Sequence, residues 1–141
     1  VLSLVEALQE GKTFTVWGGD SVNKVTSPSL AAEIGAQIER VILRNAFGTF
    51  HLVGDDAIDR MGLAKKVCEV FNLDEGLLRE SDPPTDQLFP AAVPADSSLG
   101  NEKTKKALGI DPQPLRRILE AFKLELETGK INPITNSENM I

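Results

Sequence analysis

The sequence predicts an α/β fold with a few short strands and about five helices. Segments with apolar residues three and four positions apart, typical of helices, alternate with segments rich in β-branched and aromatic residues, typical of strands. Only two strands are well defined, over residues 13–17 and 49–53. Because two strands are few for a free-standing sheet, we expect the chain to be part of a larger sheet-containing protein.

Five segments carry the helical pattern. The second begins at Ser27–Pro28, because serine can cap free backbone amides and proline suits the first helical position. The third follows Asp59, a natural cap, and carries Cys68 on its apolar face. Leu30, Ile34, Ile38, Val41 and Ile42 recur at helical spacing in the second segment. The predicted helices cover residues 2–9, 27–44, 60–71, 102–108 and 115–126.

The remaining segments are predicted to be short or irregular. Leu77–Arg79 has the composition of a short strand. Residues 82–96 hold four of the eight prolines and should form an extended crossing segment. Residues 129–141 show no periodicity, so we expect one domain over residues 1–128 followed by a loose tail.

Composition excludes several classes of protein. The 15 basic and 21 acidic residues give a net charge of −6, and basic residues never cluster beyond pairs, so nucleic acid is not an expected partner. No apolar run approaches membrane-spanning length, and no leader segment opens the chain. The single cysteine indicates a reducing cytoplasm. Because Val1 enters a helical pattern at once, we expect the chain to begin inside a longer protein.

Residues that often carry chemistry have structural interpretations here. His51 has no cysteine or carboxylate at metal-ligand spacing, and we interpret it as structural. Asp55, Asp56 and Asp59 do not fit a calcium loop, and a turn followed by a helix cap explains them. Gly18–Asp20 follows a strand, but no helix comes directly after it, so we predict a plain turn. Cys68 should be buried and unreactive. We therefore expect no catalytic, cofactor-binding or metal-binding residue.

Four motifs, taken in order, point to one family. Ser27–Gly35 is similar to a Ser-Pro-Thr-x-x-x-Asp-Leu-Ala helix start, and Gly48–Gly54 to a Gly-x-Tyr-His-Leu-x-Gly strand. Asp59–Ala64 resembles Ser-Arg-x-Glu-x-Ala, and Pro94–Lys103 resembles a proline-rich stretch before Ser-Leu-x-Asn-x-Lys. In this order the motifs resemble the carboxy-terminal, substrate-binding half of an extended short-chain dehydrogenase/reductase of the dTDP-4-dehydrorhamnose reductase type. The resemblance covers roughly residues 1–127.

The sequence departs from the family pattern at two informative positions. Gly62 stands where the family usually has a glutamate, which weakens the capping box at that helix start. Val93 stands where the family often has an arginine before proline, which removes a candidate phosphate contact. The second departure bears on which sugar nucleotide the protein recognises.

The resemblance implies an NAD(P)-dependent parent enzyme that reduces a 4-keto sugar nucleotide. Its glycine-rich cofactor loop and Tyr-x-x-x-Lys pair would belong to a missing amino-terminal Rossmann half, and the present chain has no tyrosine. The expected partners are that half and a nucleotide-sugar substrate, with no cofactor bound by this chain alone. Two alternatives stay open: an epimerase or dehydratase acting on a nucleotide sugar, and a non-catalytic binding or regulatory module.

The resemblance also implies where ligand contacts lie. The stretch before the Ser-Pro helix would border the substrate cleft, with Lys24 meeting a phosphate and Asn23, Thr26 and Ser27 offering hydrogen bonds. Trp17 would line a ligand pocket. The plainer alternatives are a solvated Lys24, a capping Ser27 and a core Trp17. In the family the strand matched by residues 49–53 joins the edge of the nucleotide-binding sheet, so the isolated chain should expose an apolar sheet edge and be marginally stable or associate.

Overall fold

The structure, a computed structural model, describes residues 1–20, 22–84 and 93–130. Within those residues it is an α/β fold with five α-helices and four short strands, as the sequence predicts. The helices are α1 (Leu2–Gln9), α2 (Ala31–Leu43), α3 (Arg60–Phe71), α4 (Glu102–Leu108) and α5 (Leu115–Thr128). The strands are β1 (Phe14–Trp17), β2 (Val25–Thr26), β3 (Ile58–Asp59) and β4 (Leu78–Ser81).

The chain divides into two compact units, each built from two separate stretches. The first unit comprises residues 1–27 and 57–98 and holds α1, α3 and all four strands. The second unit comprises residues 28–56 and the chain from residue 99 onward, with α2, α4 and α5. The single domain over residues 1–128 stays a prediction. Most of the proline-rich segment and nearly all of the expected tail lie outside the described residues.

The first unit is a small parallel sheet covered by helices. β1 pairs in parallel with β4, from Phe14 opposite Leu78 to Trp17 opposite Ser81, which confirms the short strand expected near residue 78. Both α1 and α3 contact β1, in which Val16 is buried, whereas Arg79, Glu80 and Ser81 of β4 are exposed. The buried apolar residues of this unit include Leu4, Val5, Leu8, Val16, Val67 and Cys68.

Helix α3 begins and ends where the sequence predicts. The Asp59 side chain accepts a hydrogen bond from the backbone N–H of Gly62 at 2.7 Å, which satisfies one free amide of the first turn. Asn72 ends the helix in the left-handed conformation with φ of 56°. This cap also fixes the direction in which Arg60, the first helical residue, leaves the backbone.

The second unit packs three helices around a small apolar core. Leu108 is fully buried, and Leu115, Ile118 and Leu119 line the inner face of α5. Asp56 accepts a hydrogen bond from the backbone N–H of Leu115 at 2.5 Å and so caps α5 from a distant part of the chain. α4 closes at Gly109, whose φ of 60° favours glycine.

The strand predicted over residues 49–53 is wrong, because a strand needs a neighbour to pair with. None of the described residues forms a ladder with this segment. Side chains of the same unit bind its backbone instead. Thr104 Oγ1 accepts from the His51 N–H at 3.0 Å, and Gln37 Nε2 donates to the Val53 carbonyl at 3.3 Å. The segment is therefore held in place without being part of a sheet.

The predicted start of α2 is also wrong. The helix begins at Ala31, and its N-cap, Leu30, is extended and makes no side-chain cap. Ser27 therefore lies outside the helix rather than at its cap. Ser29 is used in another way, since its hydroxyl accepts a hydrogen bond from the Gly54 N–H at 2.8 Å. That bond secures the extended chain before the helix, and so delays the first helical turn.

The apolar residues of α2 do not all face the core. Leu30 is buried at the start, but Ile38 is 47% exposed and Ile42 is 72% exposed. The inward positions are taken by Glu33 and Gln37, each only 4% exposed. The helix therefore presents part of its apolar stripe to solvent, which is unusual for an amphipathic helix of a self-contained domain.

Candidate functional site

The first unit contains a cavity of about 460 Å³ between β1 and the helices α1 and α3. Its size falls within the range of small-molecule sites, roughly 300–1,000 Å³. The side chains on its wall that carry a polar group are those of Thr15, Trp17 and Arg60. Apolar side chains form most of the remainder, including Leu4, Phe14, Val16, Leu63 and Val67. The wall of the cavity is therefore mostly apolar and includes one cationic residue.

Trp17 is the last residue of β1 and contributes to the cavity wall. It pairs in register with Ser81 of β4, so the strand fixes its backbone, and its side chain is half-buried. An indole in this position offers a flat face for packing and a single N–H donor. The geometry is compatible with the predicted ligand-lining role, which stays a prediction.

Asn23 and Lys24 form a loop that is tied to residues near Ser97. The backbone N–H of Lys24 donates to the Ala95 carbonyl at 2.7 Å, and the Asn23 side-chain amide donates to the Ser97 hydroxyl. Lys24 Nζ forms an ion pair with Asp20 at 2.6 Å and lowers the pKa of that carboxyl. Because this pair is largely exposed, a bound anion can compete with Asp20 for the ammonium group.

Arg60 links the cavity to that loop, and sequence reasoning did not single it out. It lines the cavity, its Nε donates to the Asn23 carbonyl, and its backbone N–H donates to the Lys24 carbonyl at 3.1 Å. The link depends on the pairing of β2 with β3. Two-residue strands leave no periodic pattern, so the sequence offered no signal beyond the position of Arg60 in a family motif.

The other two predicted ligand residues, Thr26 and Ser27, do not line the cavity. Thr26 lies in β2 opposite Ile58 and is half-buried. Ser27 follows it and is also half-buried. The structure thus places Trp17 in the cavity wall, and it bonds the backbone carbonyls of Asn23 and Lys24 to Arg60, another residue of that wall. Their binding roles, like those of Thr26 and Ser27, stay predictions.

The Gly18–Gly19 turn does not fit the pyrophosphate of a dinucleotide. Gly19 has a φ of 76°, as the predicted plain turn allows. The space beside the two glycines is occupied by the carboxylates of Glu80 and Asp82, which would repel a phosphate. This turn therefore provides no cradle for the pyrophosphate of NAD(P).

The aspartates and the histidine have structural partners. Asp59 and Asp56 cap α3 and α5, while Asp55 forms an ion pair with Lys105, which lowers the pKa of that aspartate. His51 Nδ1 lies 2.8 Å from the Gly100 carbonyl. Within the described part of the chain, no three histidine, cysteine or acidic side chains form a group able to hold a metal ion.

Three further expectations from the sequence concern Cys68, membrane-spanning helices and Val93. Cys68 is 3% exposed, and burial raises the pKa of its thiol, as expected for an inert residue. Among the described residues, none of the helices is both long enough and apolar enough to cross a bilayer. Val93, which replaces the family arginine, is half-buried.

Comparison with solved structures finds the same fold in sugar-nucleotide enzymes. dTDP-4-dehydrorhamnose reductase from Bacillus anthracis, in complex with NADP, matches 88% of this chain with a TM-score of 0.71 and 19% identity. dTDP-glucose 4,6-dehydratase from Bacillus anthracis, in complex with NAD, matches 89% with a TM-score of 0.65 and 12% identity. UDP-glucuronic acid 4-epimerase from Bacillus cereus, in complex with NAD, matches 90% with a TM-score of 0.60 and 13% identity.

The match covers only part of each of these enzymes. The chain spans 42% of the reductase, 39% of the dehydratase and 38% of the epimerase. No curated protein matches the sequence. The model of one protein family, described as the RmlD substrate binding domain, matches residues 3–127. The chain therefore belongs to the RmlD substrate binding domain family.

Proposed function

We propose that this chain is the substrate-binding part of an NAD(P)-dependent oxidoreductase that acts on a sugar nucleotide, in the manner of dTDP-4-dehydrorhamnose reductase. The observation that carries the proposal is the cavity of the first unit, which joins an apolar wall to the Asn23–Lys24 loop through Arg60. A nucleotide has a flat base and a charged phosphate end, which are the two chemistries that this arrangement offers.

Each contact assigned from sequence has a role in this proposal. Trp17 packs against the flat, apolar part of the ligand. Lys24 exchanges its exposed ion pair with Asp20 for a phosphate oxygen, because a phosphate carries more charge than a carboxylate. Asn23, Thr26 and Ser27 provide hydrogen bonds to the sugar or the phosphates. Held in this way, the sugar would face the cofactor of the other half of the enzyme.

The proposed partner within the protein is an amino-terminal, nucleotide-binding half. It is supported by the share of the relatives that this chain covers, which is 42% for the reductase. It is supported as well by residues 49–53. Among the described residues, the backbone groups of Phe50 and Leu52 form no hydrogen bond, whereas their neighbours His51 and Val53 bond to side chains of the second unit. One edge of this extended segment is therefore open to a strand of the missing half.

NAD(P) would be held by that half, since the present residues do not fit it. Bound there, the cofactor supplies or accepts the hydride. This chain would bind the sugar nucleotide, orient it and exclude water from around it. The proton donor is likewise assigned to the missing half, because the sequence has no tyrosine.

An epimerase or dehydratase acting on a nucleotide sugar is the second candidate. The folds of the dehydratase and the epimerase, with TM-scores of 0.65 and 0.60, favour keeping it. Both candidates require the same nucleotide site, and they differ in the chemistry of the missing half. The third alternative, a non-catalytic module, predicts a chain that folds and acts without that half.

Calorimetric titration of the chain with thymidine diphosphate (dTDP) tests the nucleotide site. We expect saturable binding that Lys24→Gln weakens about fivefold to tenfold, through loss of one phosphate contact. Lys12→Gln is the matched control, because Lys12 is an exposed lysine of the same unit that is paired with Glu10. Equal affinities for the Lys24 variant and the wild type would remove Lys24 from the site. An absence of binding at millimolar nucleotide would overturn the proposal.

A further inference from the structure

Lys24 and Arg60 lie opposite each other at the end of the β2–β3 pair. The register places Val25 opposite Asp59 and Thr26 opposite Ile58. The 3.1 Å bond from the Arg60 N–H to the Lys24 carbonyl continues it by one residue. Like charges directly opposite each other on antiparallel strands are unfavourable. This arrangement therefore needs a reason beyond stability.

The position of Arg60 on its helix is also unfavourable for a cation. Arg60 is the first residue of α3, and the amino-terminal end of a helix carries a partial positive charge. Its guanidinium has no carboxylate partner among the described residues, whereas Lys24 is paired with Asp20. Arg60 thus lies at a position where both the charge of Lys24 and the dipole of α3 disfavour a cation.

The guanidinium is fixed by one of its three nitrogens. Nε donates to the Asn23 carbonyl, and no hydrogen bond involves either Nη atom among the described residues. A guanidinium anchored through Nε keeps two parallel N–H groups for a phosphate. Arg60 is also one of the residues that line the cavity.

We propose that Arg60 is the anion-binding residue of this site, and that it binds the phosphate end of a nucleoside diphosphate whose base lies against the apolar wall of the cavity. The inference rests on the proposed function and deepens it, since it names a residue that binds the phosphates of the nucleotide. An anion at this point neutralises the charges of Arg60 and Lys24 together. Arg60 thus acts beside Lys24, whose ammonium group is paired with Asp20 when no anion is bound.

Three ligands and three variants test the assignment by calorimetry on the purified chain. The ligands are inorganic pyrophosphate, dTDP and thymidine. The variants are Arg60→Gln, Arg60→Lys and the control Lys66→Gln, which removes a positive charge from the exposed face of the same helix. Thermal unfolding followed by circular dichroism checks that each variant keeps its fold, and Arg60→Lys retains the charge if the glutamine variant is unstable.

We expect Arg60→Gln to weaken pyrophosphate and dTDP at least tenfold and to leave thymidine unchanged. Arg60→Lys should weaken both phosphates by a smaller factor, and Lys66→Gln should change neither by more than about twofold. Unchanged dTDP affinity in both Arg60 variants would overturn this inference and leave the proposed function standing. A third outcome is that pyrophosphate binds through Arg60 and that dTDP binds no more tightly than pyrophosphate. That result would support the role of Arg60 and contradict the proposed nucleotide site, because the thymidine part would then make no contact. A wild-type chain that binds no phosphate would overturn both.

Discussion

The Glu33 carboxylate accepts a hydrogen bond from the backbone N–H of Gln113 at 2.6 Å, from a position that is 4% exposed. Its other oxygen has no hydrogen-bond partner among the described residues, and neither has the side-chain oxygen of Gln37 one turn later. Burial raises the pKa of Glu33, against the opposing effect of the Gln113 bond. A protonated carboxyl gains an O–H donor that an ionised one lacks.

Stability should therefore depend on pH through Glu33. Because its folded pKa lies above the unfolded value, the unfolded chain loses the proton first, and stability falls as the pH rises through the interval between them. We expect Glu33→Gln to be about 1 kcal/mol more stable than the wild type at pH 8 and nearly equal at pH 4. Urea unfolding at both pH values measures this, with exposed Glu39→Gln as control. A difference that does not change with pH would contradict the account.

Thr104 should support the segment around His51. The residue is only 1% exposed, and its hydroxyl accepts a hydrogen bond from the His51 N–H at 3.0 Å. Thr104→Val keeps the shape and removes the acceptor, so it should cost about 1–3 kcal/mol of unfolding free energy. Thr104→Ser keeps the hydroxyl and should therefore preserve the protection of the His51 amide hydrogen against exchange with solvent. Hydrogen exchange would disprove the role if that amide stayed equally protected in the valine variant.

Cys68 should react only when the first unit opens. It is 3% exposed, and burial raises the pKa of its thiol, so both access and thiolate fraction are low. We expect its reaction with a disulfide reagent to be slow in buffer and to reach the rate of a free thiol in urea. Reaction at the free-thiol rate under native conditions would show that α3 does not cover it.

The exposed apolar surface of the second unit should cause the isolated chain to associate. Ile42 is 72% exposed and Phe47 is 86% exposed. The double variant Ile42→Glu with Phe47→Ser should shift the chain toward the monomer in sedimentation measurements. Leu99→Ser, at a residue 46% exposed, is the control and should have little effect. A wild-type chain that is monomeric and melts sharply would contradict the expected open surface.

Much of the fold could be predicted from local patterns. The bounds of α3 follow from Asp59 as its cap, and α4 ends at Gly109, since both signals lie within a few residues of the element. The start of α2 could not be predicted in this way. Ser29 is bonded to Gly54, a contact between residues 25 positions apart that no local pattern encodes.

The same limit applies to the candidate site. Trp17 could be proposed because a tryptophan at the end of a strand is visible in the sequence, and Lys24 because of the resemblance to the family; both binding roles stay predictions. Arg60 was not found, because its relation to Asn23 depends on the pairing of β2 with β3. The segment at residues 49–53 has a strand's composition, yet composition does not tell whether a neighbouring strand is present to complete the ladder.

The most direct test of the central claim uses the fluorescence of Trp17, the only tryptophan in the chain. If the cavity of the first unit receives the base of a sugar nucleotide, titration with dTDP should change that fluorescence saturably, with the dissociation constant that calorimetry gives. Arg60→Gln should shift the titration to higher concentration without changing its amplitude. Calorimetric binding with unchanged Trp17 fluorescence would place the nucleotide elsewhere and contradict the account.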